Sequence, residues 1–110
     1  MKESAIQKQI LDYLSAKGIL AFRMQTGATL SSYKGKSRMV RYGVPGMADV
    51  LACPFDPCGD GVDRPCFLWI EVKAEGGRQT ELQESFQYQV ESHGHYYMVA
   101  RSIDDLEGWV

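Results

Sequence analysis

The sequence predicts an α/β fold, a mixed central β-sheet flanked by helices, and three observations predict it. The unbroken apolar run Cys66-Phe67-Leu68-Trp69-Ile70, whose length of five no other run exceeds, has the continuous character of a strand covered on both faces. Helical spacing of apolar residues occurs before it, at 4–17, and after it, at 80–94, so helices are available to cover those faces. Finally, 110 residues suffice for one core, and a composition of 45% hydrophobic and 24% charged residues is that of a globular chain rather than a disordered one. We therefore expect one domain over 1–110. The apolar run is far shorter than the roughly 20 residues of a membrane-crossing helix.

The elements follow in order. Ile6, Ile10, Tyr13 and Leu14 recur at helical spacing, and Gly18 supplies the stop. At about 100° per residue Glu3 falls roughly 20° from Ile10, so its carboxylate either points along the buried stripe or is a solvated first-turn acid favoured by the helix dipole. Residues 19–24 read as a strand. Residues 25–37, rich in Gly, Ser and Thr, read as a loop or loose hairpin, and 38–42 as a short strand. Gly43-Val44-Pro45-Gly46 has turn composition, and 47–52 follows as a strand. Residues 53–65 form an irregular insertion, and 67–73 is the buried strand, ended by Gly76-Gly77. Thr80-Glu81-Leu82-Gln83 fits a capping box, and the helix it opens carries Leu82, Phe86, Val90 and His93 to Gly94. A strand at 96–100 and a short helix at 102–107 close the chain, giving the order αββββαβ with an optional C-terminal α.

Charge is divided unevenly along the chain. Eight of the twelve Lys/Arg but only three of the fourteen Asp/Glu lie in residues 1–50, so the net charge of -2 hides a basic first half and an acidic second. Lys34, Lys36, Arg38 and Arg41 cluster within eight residues, as a phosphate-contacting loop would, although a basic surface loop has the same composition. Three cysteines, Cys53, Cys58 and Cys66, cannot all pair within the chain, and their spacing lacks the Cys-x-x-Cys knuckle of a zinc site. Glu3, Gln7 and Asp12 interrupt any hydrophobic leader, which reads as an intracellular, cytoplasmic protein. His93 and His95 accompany no nucleophile motif and read as structural.

The chemistry concentrates at one strand end. Glu71 and Lys73 are two apart, so they leave the strand on the same face, at a place where an unpaired charge is costly to bury. Asp49, near the start of the preceding strand, would join them if the two strands are neighbours. Carboxylates that converge repel unless a cation lies between them, and hard oxygen ligands select Mg²⁺ or Mn²⁺. The expected ligands are Asp49 and Glu71, with the backbone carbonyl of Val72 as a third. Lys73 would stand beside a metal-bound water and offset charge growing on a phosphate.

This ordered set resembles the VRR-NUC nucleases of the PD-(D/E)xK superfamily: an acid in the first helix, Gly-Val-Pro-Gly followed by Asp49, a strand ending Glu71-Val72-Lys73, and Thr80-x-x-Gln83 opening a later helix. The resemblance spans nearly the whole chain. It departs from the usual pattern in that Pro45 and Asp49 are not adjacent. It implies a restriction-endonuclease-like core and a metal-dependent DNA endonuclease in which Asp49, Glu71, Lys73 and Gln83 are catalytic, with Glu3 a possible further metal ligand. Gln83 has two readings, a helix cap or a site residue. Lys34, Lys36, Arg38, Arg41 and Arg78 become candidates for the DNA backbone, because an acidic centre needs positive flanks to hold a polyanion. Free-standing members are small phage or bacterial proteins similar to Holliday-junction resolvases, so the resemblance further implies branched DNA as substrate and a homodimer. The alternatives are a non-catalytic nucleic-acid-binding module on a nuclease-like fold and a zinc-stabilised interaction domain.

Overall fold

The computed structural model describes residues 1–25, 27–53 and 67–107, with the side chains of 27–29, 31 and 40–42 outside that description. The elements are α1 (Glu3–Ala16), β1 (Leu20–Arg23), β2 (Gly27–Tyr33), β3 (Lys36–Tyr42), β4 (Val50–Cys53), β5 (Leu68–Val72), α2 (Glu81–Ser92) and β6 (Tyr96–Ala100), then a 3₁₀ turn at Ile103–Leu106. β1, β4, β5 and β6 form a mixed four-stranded sheet in the order β1-β4-β5-β6. Only β5 and β6 run parallel, joined by the crossover through α2. The fold class is thus the one expected, a mixed sheet flanked by two helices.

Strand alternation divides the core in two. Leu68, Ile70 and Val72 of β5 pack with Val50, Ala52, Met98 and Ala100 against Ile6, Ile10 and Leu14 of α1. On the other face Trp69, Tyr97 and Val99 meet Phe86 and Val90 of α2, the Trp69 ring standing edge-on to Phe86 with centroids 5.0 Å apart. Both faces of β5 are covered, as its apolar run demands. Among the described residues no helix is long and apolar enough to cross a membrane.

Several expectations need correction. Residues 27–33 form a full strand that pairs with β3 from Gly27↔Tyr42 to Tyr33↔Lys36, so of the two readings of 25–37 the hairpin is the one observed, and the chain has one strand more than the expected order. The two-residue turn has positive φ at both Lys34 and Gly35, the primed geometry that suits strand twist. Residues 47–49 lie outside β4, which begins at Val50. Leu82 and His93 share the spacing of Phe86 and Val90 but are exposed. Glu3 is exposed as well, the solvated alternative; α1 buries Ile6, Ile10 and Leu14 without it. The insertion expected at 53–65 lies outside the described residues apart from Cys53, which ends β4, and so do Cys58 and Cys66.

Candidate active site

Four chain segments converge at one end of the sheet. β4 is antiparallel to β5 with Val50 opposite Ile70, so Asp49, one residue earlier, comes level with Glu71, one residue later. β6 is parallel to β5 and ends beside it, where Lys73 N–H donates to the Ala100 carbonyl at 3.0 Å. The crossover geometry brings the start of α2 to the same end. By strand alternation Glu71 and Lys73 share the α2 face with Trp69, while Val72 points into the α1 core.

Each polar side chain there is held by identifiable contacts. Asp49 Oδ2 accepts the Val72 N–H at 2.8 Å, across the strand pair. Gln83 satisfies both sequence readings at once. Its Oε1 accepts the Thr80 N–H at 2.9 Å while Thr80 Oγ1 accepts the Gln83 N–H at 3.2 Å, completing the capping box. Its Nε2 donates to Glu71 Oε1 at 3.0 Å. Lys73 Nζ lies 3.7 Å from the same Glu71 oxygen as an ion pair, and both residues are buried. Glu71 Oε2 is left buried with no hydrogen-bond partner, a condition that ordinarily costs about 1–3 kcal/mol.

The electrostatics follow from this packing. Burial first, then the neighbouring Asp49 charge, against the opposing Lys73 ammonium and with a small addition from the charge of Glu3, together raise the Glu71 carboxyl from 4.5 to about 8. Without a cation the geometry therefore favours the protonated form of Glu71. Burial likewise pushes the Tyr97 phenol up to about 12. Its hydroxyl accepts from Gln79 Nε2 at 3.1 Å, and the same amide nitrogen donates to Gln87 Oε1 at 3.0 Å, so the entry to α2 is tied to β6.

Two backbone turns brace the cluster. Val44-Pro45-Gly46-Met47 is closed by the Met47 N–H on the Val44 carbonyl at 2.9 Å, with Gly46 at φ +81°. A Cβ on Gly46 would stand 2.3 Å from the Leu82 carbonyl oxygen, so this turn lies directly on the first turn of α2. It thereby fixes the approach of Asp49 to Gln83. Gly77 N–H closes a second turn onto the Ala74 carbonyl at 2.9 Å, packed on the Lys73 stem and held by Arg101 Nη2 donating to the Gly77 carbonyl at 2.7 Å.

Asp49, Glu71, Lys73 and Gln83 are thus brought together. Val72 contributes its N–H to Asp49. Glu3 is not: among the described residues no group of three or more His, Cys, Asp or Glu side chains is placed to hold a metal, and Glu3 acts on Glu71 through its charge alone. Lys34, Lys36 and Arg38 are exposed on the hairpin, Arg78 is exposed between the second turn and α2, and the Arg41 side chain lies outside the described residues. Both histidines have structural partners: His95 Nδ1 accepts the Phe67 N–H at 2.9 Å and His93 Nδ1 donates to the Gln89 carbonyl at 2.7 Å. Sequence reasoning missed Gly46 as a contact residue, although Pro45-Gly46 signals such a turn, and missed Gln79, Tyr97 and Arg101, for which no local motif exists. Comparison with family models, curated proteins and solved structures finds no match to this chain.

Proposed function

We propose that this protein is a divalent-metal-dependent DNA endonuclease that hydrolyses phosphodiester bonds. One observation carries the reading: Glu71 is buried beside Asp49 with one oxygen held by Gln83 and Lys73 and the other without a partner. A buried carboxylate oxygen with no donor, next to a second acid, fits a hard cation better than any group on the chain. Asp49 and Glu71, with the Val72 carbonyl, are the residues that would hold Mg²⁺ or Mn²⁺. Two protein carboxylates suit Mg²⁺, which retains several of its waters. Bound there, the ion would supply Lewis acidity and a water of lowered pKa.

The chain's own residues divide the remaining work. Gln83 and the capping box fix the Glu71 rotamer, the Val72 N–H fixes Asp49, and the Lys73 ammonium offsets charge that develops on the scissile phosphate. Lys34, Lys36, Arg38, Arg41 and Arg78 are proposed to meet the backbone of the substrate. Preference for branched DNA such as Holliday junctions, and a homodimeric state, extend the resemblance to VRR-NUC nucleases.

The test incubates labelled four-way junction, duplex and single-stranded DNA with the protein in Mg²⁺, Mn²⁺ or EDTA. Cleavage is expected with either metal, lost in EDTA and lost in Asp49→Asn and Glu71→Gln, while binding is kept or strengthened. Binding with no cleavage under any metal condition favours a non-catalytic nucleic-acid-binding module instead.

A further inference from the structure

The β2–β3 hairpin carries four of the five cations proposed to meet the substrate but none of the residues of the acidic cluster. It pairs over seven residues on each strand, which at about 3.4 Å per residue is a reach of roughly 20 Å. The molecule measures 54 × 34 × 28 Å along its principal axes. Isolated two-stranded hairpins are marginal in water, yet this one leaves Leu30, Tyr33 and Met39 more than half exposed. Its charge is of one sign: no Asp or Glu occurs between Asp12 and Asp49. Register places Tyr33 opposite Lys36 and puts Arg38 on the same face, with Leu30 and Met39 opposite each other on the reverse face. Lys34 Nζ stands 5.5 Å from the centre of the Tyr33 ring.

The root of the hairpin lies at the candidate site. Met24 N–H donates to the Asp49 carbonyl at 2.7 Å just before β2, and β3 leads into the turn that braces α2. The base of the arm is therefore anchored beside Asp49, with its tip roughly 20 Å away along the ribbon. We propose that the hairpin is a β-ribbon arm that enters the major groove of B-form duplex DNA flanking the site, with Tyr33, Lys34, Lys36 and Arg38 as its contacts. A two-stranded ribbon matches the roughly 12 Å width of that groove. The deep, narrow major groove of A-form RNA does not admit it. This inference rests on the nucleic-acid half of the proposed function and is independent of hydrolysis.

The experiment measures binding of the full chain in EDTA, so a failure of catalysis cannot affect it. Probes are one duplex sequence as DNA and as RNA, and the single strands. Wild type is expected to hold duplex DNA at least tenfold more tightly than duplex RNA and to protect guanine N7, a major-groove atom, from methylation. The triple variant Lys34→Ala, Lys36→Ala, Arg38→Ala should lose roughly 100-fold in affinity, flatten the salt slope by up to about 2.7 and leave N7 reactive. The triple variant Lys2→Ala, Lys8→Ala, Lys17→Ala removes the same charge from exposed positions at α1 and should lose far less. Equal losses in the two variants, equal binding of duplex RNA, an unprotected N7 in wild type, or an unaltered salt slope in the hairpin variant would each overturn the proposal.

Discussion

Replacing Glu71 by Gln should stabilise the metal-free protein at alkaline pH, although it removes a residue from the centre of the site. Glu71 has a carboxyl raised from 4.5 to about 8 by burial and by Asp49. Between these values the folded chain binds one proton that the unfolded chain has released, so stability falls as pH rises from about 4.5 to 8; below that window both states are protonated and above it neither is. At about 1.4 kcal/mol per pH unit the ceiling on this loss is roughly 5 kcal/mol, and relaxation around a buried acid reduces it to about 2–3 kcal/mol. The amide of Gln escapes the loss, because it carries no charge to desolvate and its oxygen can still accept from Gln83 Nε2. For 110 residues the gain corresponds to about 10 °C in melting temperature. Thermal melts of wild type and Glu71→Gln in EDTA, from pH 5 to 9, should show nearly equal stability at pH 5 and a widening advantage for the variant up to about pH 8. A variant that melts with or below wild type at pH 8 would refute the assignment of Glu71 as a buried, destabilising carboxylate.

Three further outcomes follow from the same geometry. Mg²⁺ or Mn²⁺ must displace the Glu71 proton, so the apparent affinity read by calorimetry should strengthen up to about tenfold per pH unit between 6 and 8; a flat profile would place the ion elsewhere. Gln83→Glu keeps a capping-box acceptor for Thr80 N–H but sets a second acid against Glu71, so its melting temperature in EDTA should fall below wild type at pH 8 and recover at pH 5. Gly46→Ala should cost at least about 3 kcal/mol in chemical denaturation, because its Cβ meets the α2 backbone, whereas Gly76→Ala, at the same φ but in open space, should cost only about 1–2 kcal/mol.

What the sequence reveals is governed by how far each signal travels along the chain. The β5 strand, both helices and the capping box rest on periodicities a few residues long, and all are where the pattern places them. Glu71 and Lys73 were legible because two-residue spacing on a strand fixes a shared face. Asp49 needed only the assumption that consecutive strands pair. The β2 strand was hidden because Gly27, Ser31 and Ser32 are poor strand formers and the Lys34-Gly35 turn lacks the Asn-Gly or Asp-Gly signature, so pairing with β3 overrides local preference. Leu82 misled for a different reason: its spacing is helical, but its side chain is exposed while the Gly46 turn lies against its backbone. The double duty of Gln83 was beyond sequence because one side chain serves a local motif and a residue twelve positions away.

The placement of the site also explains how a chain this small tolerates it. Along β5 the residues facing α1 are Leu68, Ile70 and Val72, all apolar and fully buried, whereas those facing α2 pass from Trp69 to Glu71 and then to Lys73. Two-residue alternation therefore separates the tasks: one face carries a continuous core to the very end of the strand, and the other gives up its last two positions to charge. The α1 core holds β4 and β5 in register beneath Asp49 and Glu71, so the repulsion between these acids cannot be relieved by letting the strands part. In the metal-free chain a proton held on Glu71 relieves it, and the proposed cation would do so when bound. Polar substitution of Val72 would breach the apolar face rather than the site, and its effect on stability should persist at every pH, unlike that of Glu71.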